Sequence, residues 1–116
     1  MQAREAFYSS EAGADRVGVI DVGARLDART AERMKHRFKK LAAVGQRRHI
    51  IDLSSVDDLD SGGLAGLISA LRTVRETGGS IHLVATSSHV KQILELTALT
   101  RLFRVYGSVQ AALASL

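Results

Sequence analysis

The chain contains no cysteine, no proline and no tryptophan among its 116 residues, and aromatic residues make up only 4%. Without cysteine there is no disulfide framework, no thiolate metal site and no cysteine nucleophile, which fits the cytoplasmic location we expect. Without proline there is no proline-rich linker. So few rings give no aromatic platform on which single-stranded nucleic acid would stack. No apolar run approaches the roughly 18–20 residues of a membrane span, so no membrane insertion is expected. Met1-Gln2-Ala3-Arg4-Glu5 is not followed by an apolar stretch, so no secretory signal is expected either. What is present is the balance of a soluble globular protein: 46% hydrophobic, 24% charged, mean hydropathy +0.04. The length suits a single domain, residues 1–116, with a core of its own.

A formal net charge of +4 suggests nucleic acid until the charges are placed. Arg29, Arg33, Lys35, Arg37, Lys39, Lys40, Arg47 and Arg48 are opposed between Ala28 and Ile50 only by Glu32. Asp52, Asp57, Asp58 and Asp60 follow, with no Lys or Arg until Arg72. The molecule is polarised rather than uniformly basic. A basic helix binds phosphate backbones or acidic protein surfaces, and the plainer reading is a solvated helix face. No zinc-finger spacing, recognition-helix motif or RNA-binding aromatic signature is present, so direct nucleic-acid binding is not expected.

Apolar periodicity divides the chain. Arg16–Val22 places Val17, Val19 and Asp21 on one strand face and Gly18, Ile20 and Val22 on the other. The weaker Ala3–Ser9 stretch reads as its hairpin partner across residues 11–15, so 1–15 form a strand and turn. A helix follows over about Thr30–Ala43, with Met34, Phe38, Leu41 and Ala42 at helical spacing, capped by Thr30 or Asp27. His49–Leu53 suits a buried strand, and Ser54–Leu59 a turn. A second helix carries Leu64, Leu67, Ile68, Leu71 and Val74 inward and stops at Gly78-Gly79. Ser80–Ala85 is a strand. A third helix, capped by Ser87 or Ser88, turns Val90, Ile93, Leu94 and Leu96 inward. Leu102–Tyr106 reads as a last strand, and Ser108 caps a terminal helix with Val109, Ala112 and Leu113 inward. Strands separated by helices need crossovers. The fold class is therefore α/β: a mixed, mainly parallel sheet of four to five strands packed with about four helices.

Loops at the carboxyl ends of such strands gather the functional groups, which points to the segment after His49–Leu53. Asp60 or Ser61 stands at the N-cap of the second helix, and a purely capping role is the plainer reading. Gly62 and Gly63 follow, although glycine is a poor helix former. Their missing side chains leave the Ser61 hydroxyl approachable by another protein. A phosphate there would meet free N–H groups and the positive end of the helix dipole.

Asp52, Asp57, Asp58 and Asp60 are hard oxygen ligands of the kind Mg²⁺ or Ca²⁺ takes. Asp52-Leu53-Ser54 starts like a D-x-S-x-S adhesion motif, but the next serine is Ser55, one position early, and no EF-hand spacing occurs. Turn-forming aspartates are the simpler reading, so no metal and no cofactor is expected. Ser61 has Leu59 where a nucleophile elbow needs glycine. His36, His49, His82 and His89 form no helical pair, and His49 and His82 open strands as partly buried or exposed structural residues. No glycine-rich phosphate loop is present. An enzyme is not expected.

Asp60-Ser61-Gly62-Gly63-Leu64 resembles the D-S-[ST]-G-L motif of STAS domains, specifically bacterial anti-sigma factor antagonists. The resemblance spans about residues 16–116. It takes in Asp27 at the family's G-E-[LI]-D position, the His49–Leu53 strand, the Gly78-Gly79 turn, and Val90-Lys91 to Thr97-Ala98-Leu99. It departs from the pattern at Gly62 (usually Ser or Thr), at Ala24 and Arg25 (usually Gly and Glu), and at Ala98 (often Gly). Losing that glutamate would remove or reverse a partner contact. The resemblance implies Ser61 as phosphoacceptor, with Asp27, Asp57, Asp58, Asp60, Ser61, Gly62, Gly63 and Leu64 in the partner-binding surface. It implies as partners an anti-sigma factor with serine kinase activity and a serine phosphatase; the oligomeric state stays open. The same fold also serves as a subunit docking on the ATPase of bacterial lipid-transport complexes without phosphorylation, and as a stressosome-type scaffold.

Overall fold

The computed structural model describes residues 4–9 as backbone and residues 16–116 in full. The hairpin turn expected across 11–15 lies outside the described residues. Strands β1 (Arg4–Ser9) and β2 (Arg16–Asp21) pair antiparallel, with Glu5 opposite Ile20. Then come β3 (Arg25–Leu26), α1 (Ala28–Ala43), β4 (Arg48–Asp52), β5 (Asp58–Leu59), α2 (Ser61–Glu76) and β6 (Ser80–Val84). The chain ends with α3 (Ser88–Leu96), a 3₁₀ turn (Leu99–Arg101), β7 (Val105–Tyr106) and α4 (Val109–Ala114). The main sheet has the order β1-β2-β4-β6-β7, parallel from β2 onward. The small sheet is β3 beside β5.

Each parallel strand lies next to its predecessor in one direction. Crossovers of one hand then place α1, α2 and α3 on the same face. Ile20, Ile51, Ile81 and Leu83 meet Met34, Phe38, Leu67, Leu71 and Leu94 there in the main core. Each such fully buried side chain contributes about 1.5–3 kcal/mol. The strand period of two sends Val17, Val19, Ile50 and Val84 to the opposite face, where α4 covers them through Ala112.

The expected helices and main strands are present, with several corrections. α1 begins at Ala28 because Asp27, not Thr30, is its cap. Ser87 and Ser108 cap α3 and α4 by accepting from the Val90 and Ala111 N–H groups. Leu96 is 78% exposed rather than inward: two residues beyond Leu94, it falls on the far side of a helix that ends there. The last strand shrinks to Val105–Tyr106, since the chain first makes the 3₁₀ turn, seating Leu99 and Phe103 in the core. The turn region Ser54–Leu59 contains a strand, β5. His49 is fully buried rather than partly so, its ring 4.5 Å from that of Phe38. Ala98 has φ 60°, the left-handed conformation that glycine adopts without strain, which accounts for the family's glycine there.

Candidate functional site

The site lies at the carboxyl ends of β2 and β4, where two loops run into α1 and α2. The small sheet ties these loops together: Arg25 is in register with Asp58 and Leu26 with Leu59. The Asp57 and Asp58 N–H groups donate to the Ala24 carbonyl at 2.9 and 3.2 Å. The Arg25 guanidinium lies 3.1 Å from the Asp58 carboxylate, both more than half exposed. The arginine standing in the glutamate's place therefore pairs within its own chain. A two-residue strand carries no readable periodicity, so sequence reasoning missed this joint. Its signal is the opposite charge of Arg25 and Asp58.

Asp60, in extended backbone, is the N-cap of α2, and its Oδ1 accepts the Gly63 N–H at 2.8 Å. That settles the choice between Asp60 and Ser61. Ser61 is the first helical residue and is exposed, and its hydroxyl has no hydrogen-bond partner among the described residues. The Ser61 and Gly62 N–H groups belong to the first turn, where the helix supplies no carbonyl. An oxyanion on Ser61 would find donors there.

The glycines have a packing duty that the open-hydroxyl argument overlooked. A Cβ on Gly63 would lie 2.1 Å from the Leu26 carbonyl oxygen, so α2 rests directly on β3. A Cβ on Gly66 would lie 2.0 Å from that of Ala31, and one on Gly62 3.1 Å from that of Ala28. Gly62 and Gly66, one turn apart, let α2 press against α1. The G-x-x-x-G spacing opposite Ala28 and Ala31 was the available signal. Gly62 thus stands in place of the usual hydroxyl residue where α1 leaves little room.

Asp27 mirrors Asp60 at the start of α1. It accepts the Thr30 N–H at 2.9 Å and the Thr30 hydroxyl at 3.0 Å. These bonds, the backbone one first, hold its carboxyl below the ordinary carboxylate value. Leu64 is half-buried against the core, while Asp57 and Asp58 are exposed. Asp52 turns to its own loop, accepting from the Ser54 N–H and hydroxyl. The aspartates are thus dispersed into caps, turns and one ion pair. Among the described residues no three acidic or histidine side chains converge as metal ligands.

The family model of the STAS domain matches residues 10–112. This chain belongs to the STAS domain family. A Thermotoga neapolitana protein with the provisional name of anti-sigma factor antagonist is 30% identical over 83 residues, 67% of this chain and 74% of that protein. The crystal structure of an anti-sigma factor antagonist from Mycobacterium paratuberculosis is 24% identical and superposes with a TM-score of 0.74, covering 97% of this chain and 92% of that one. SpoIIAA, a cell fate determinant of Bacillus, shares the STAS fold in its unphosphorylated form, with a TM-score of 0.67 at 14% identity over 95% of this chain and 92% of that one. It has also been solved phosphorylated, with a TM-score of 0.62 at 17% identity over 92% and 96%. The Thermotoga and Mycobacterium proteins, and SpoIIAA in its unphosphorylated form, are all named as anti-sigma factor antagonists. Among the described residues no helix is long and apolar enough to cross a membrane.

Proposed function

We propose that this STAS domain is an anti-sigma factor antagonist that switches partners through Ser61. The observation that carries the reading is the exposed, uncommitted Ser61 hydroxyl at the start of α2, left free because Asp60 does the capping. Unphosphorylated, the edge formed by Asp27, Asp57, Asp58, Asp60, Ser61, Gly62, Gly63 and Leu64 docks a cytoplasmic anti-sigma factor and releases its sigma factor. That partner is also a serine kinase. The Ser61 oxygen attacks the γ-phosphorus of ATP, the bond to the β-phosphate oxygen breaks, ADP leaves, and the hydroxyl proton passes to a base of the kinase. A serine phosphatase hydrolyses the ester and restores docking.

Phosphoserine brings about −1.5 to −2 charges to a surface that already carries Asp57, Asp58 and Asp60. A closing interface would have to bury a solvated dianion among like charges. The helix dipole returns only about 0.3–2 kcal/mol, so docking fails while the fold persists. The phosphorylated form in which SpoIIAA has been solved supports the reading. A pull-down from the source cell with wild type, Ser61→Ala and Ser61→Asp tests it, with partners and phosphate read by mass spectrometry. A kinase-like partner is expected on wild type and Ser61→Ala but not on Ser61→Asp, with phosphate on wild-type Ser61. A transport ATPase held equally by all three, with Ser61 unmodified, overturns the proposal in favour of the lipid-transport role.

A further inference from the structure

At the amino end of β6, the opposite end of the sheet from Ser61, the ladder is incomplete. The Leu83 and Ala85 N–H groups donate toward β7, to the Arg104 and Tyr106 carbonyls at 2.9 and 3.0 Å. Backbone groups alternate sides along a strand, so Ile81 directs its N–H the same way. Opposite it the chain has only just left the 3₁₀ turn, β7 begins at Val105, and no carbonyl among the described residues accepts the Ile81 N–H. Ile81 is only 4% exposed, and an unpaired donor on so buried a residue is uncommon. The gap is a notch of about 330 Å³ lined by Arg75 from the end of α2, Arg101 from the 3₁₀ turn and Arg104 before β7, with Ser80 and Thr100 between them. All three arginines are exposed, and none has an ion pair or side-chain hydrogen bond among the described residues. No carboxylate lines the notch: Glu76, beside Arg75 in sequence, and Glu95, which shares an adjoining cavity with Arg104, lie outside its lining. His82 feels the resulting field, since burial first and then the Arg104 and Arg48 charges hold its imidazole below the ordinary value.

We propose that this notch binds a small phosphorylated compound, its phosphate seated among Arg75, Arg101 and Arg104 with the Ile81 N–H as a further donor. The three guanidinium groups come from three separate elements and so approach from several sides. A phosphate ester offers three terminal oxygens to donors arranged in that way, whereas a planar carboxylate offers two. The arginine fork also matches phosphate with paired bonds. The volume lies at the small end of ligand cavities, which suits a compact molecule rather than a nucleic-acid strand. No exposed ring lines the notch to stack a base, since Phe103 is buried. The proposal does not rest on the Ser61 switch.

Titration with inorganic pyrophosphate at constant ionic strength, followed by calorimetry and by amide NMR spectra, tests it. Citrate and a duplex DNA oligonucleotide are the comparisons. The double variant Arg101→Gln with Arg104→Gln is set against Arg29→Gln with Arg33→Gln, which makes the same charge change at exposed positions outside the notch. Pyrophosphate is expected to bind wild type and the second variant alike and to lose tenfold or more on the first. The Ile81 amide should be among the resonances that move most, and citrate should bind more weakly. No saturation at millimolar pyrophosphate, equal losses in both variants, an unmoved Ile81 amide, or citrate or DNA binding as tightly as pyrophosphate overturns the proposal. Circular dichroism checks the fold; if the first variant does not fold, Arg75→Gln takes its place with the same expected direction.

Discussion

Asp27 and Asp60 start α1 and α2 in the same way. Each follows a two-residue strand of the small sheet, sits in extended backbone, and accepts the N–H three residues on, at 2.9 and 2.8 Å. The next three positions then diverge, Ala28-Arg29-Thr30 against Ser61-Gly62-Gly63. In α1 the third residue adds a hydroxyl bond to the cap and the second begins a cationic row. In α2 both are bare, the helix settles onto Leu26 and Ala28, and the first residue keeps a free hydroxyl. The same capping chemistry therefore serves two surfaces of opposite character. The cap starts the helix, and the residues behind it decide what that start presents.

The sharpest way to break the comparison is at the third position. Gly63→Ala forces a methyl against the Leu26 carbonyl and is expected to cost about 3 kcal/mol, seen as a lower urea midpoint. Thr30→Ala, its counterpart in α1, loses one hydroxyl bond and should cost far less. An unchanged midpoint for Gly63→Ala would refute the close seating of α2 on β3.

A comparison of the caps in acid requires His49 to be separated first. Burial holds its imidazole down to about 4, and its Nδ1 has no hydrogen-bond partner among the described residues. Between about pH 4 and the ordinary histidine value near 6.5 the unfolded chain binds the extra proton. Stability is therefore complete above about 6.5 and falls by roughly 3 kcal/mol as pH drops through that window. His49→Leu is expected to flatten the profile of urea midpoint against pH there. A slope equal to wild type would show that His49 is not the titrating group.

With His49 replaced, the caps can be weighed against each other. Asp60→Ala should cost about 1 kcal/mol. Asp27→Ala removes two bonds and should shift the melt further. Because the folded Asp27 carboxyl sits below its ordinary value of 3.8, its contribution is present above that value and lost as pH falls through the folded one. Asp27→Asn should weaken that acid limb; an unchanged limb would place the titration elsewhere. The smallest effect belongs to Arg25→Ala, whose exposed pair with Asp58 should matter by no more than about 0.5 kcal/mol in thermal melts. A loss well beyond that would make the ion pair, rather than the backbone bonds to Ala24, the tie between the two loops.

Much of this was legible in the chain. The alternation in Arg16–Val22 separated the two sheet faces, and the spacing of Leu67, Leu71 and Val74 marked the inner side of α2. The place of Asp60-Ser61-Gly62-Gly63-Leu64, between a strand and a helix, is likewise readable from the residue pattern. Leu96 was misplaced because an apolar residue at the last position of a helix was assigned inward without regard to its angle. The short final strand was overdrawn because Leu102 and Phe103 continue the apolar run while the backbone turns. Gly63 was assigned a role at the surface because the carbonyl it rests on is 37 residues away in sequence.

Helix and strand periods, caps and turn residues act over a few neighbouring positions, so the order of elements, their inner faces and the place of Ser61 follow from the sequence by itself. Only the tertiary structure decided that Arg25 meets Asp58 and that Gly63 lies on Leu26 and Gly66 on Ala31. These are meetings of segments distant along the chain, produced by the crossing of α1 over α2 and by a two-residue sheet, and no local pattern of residue types encodes such a distance.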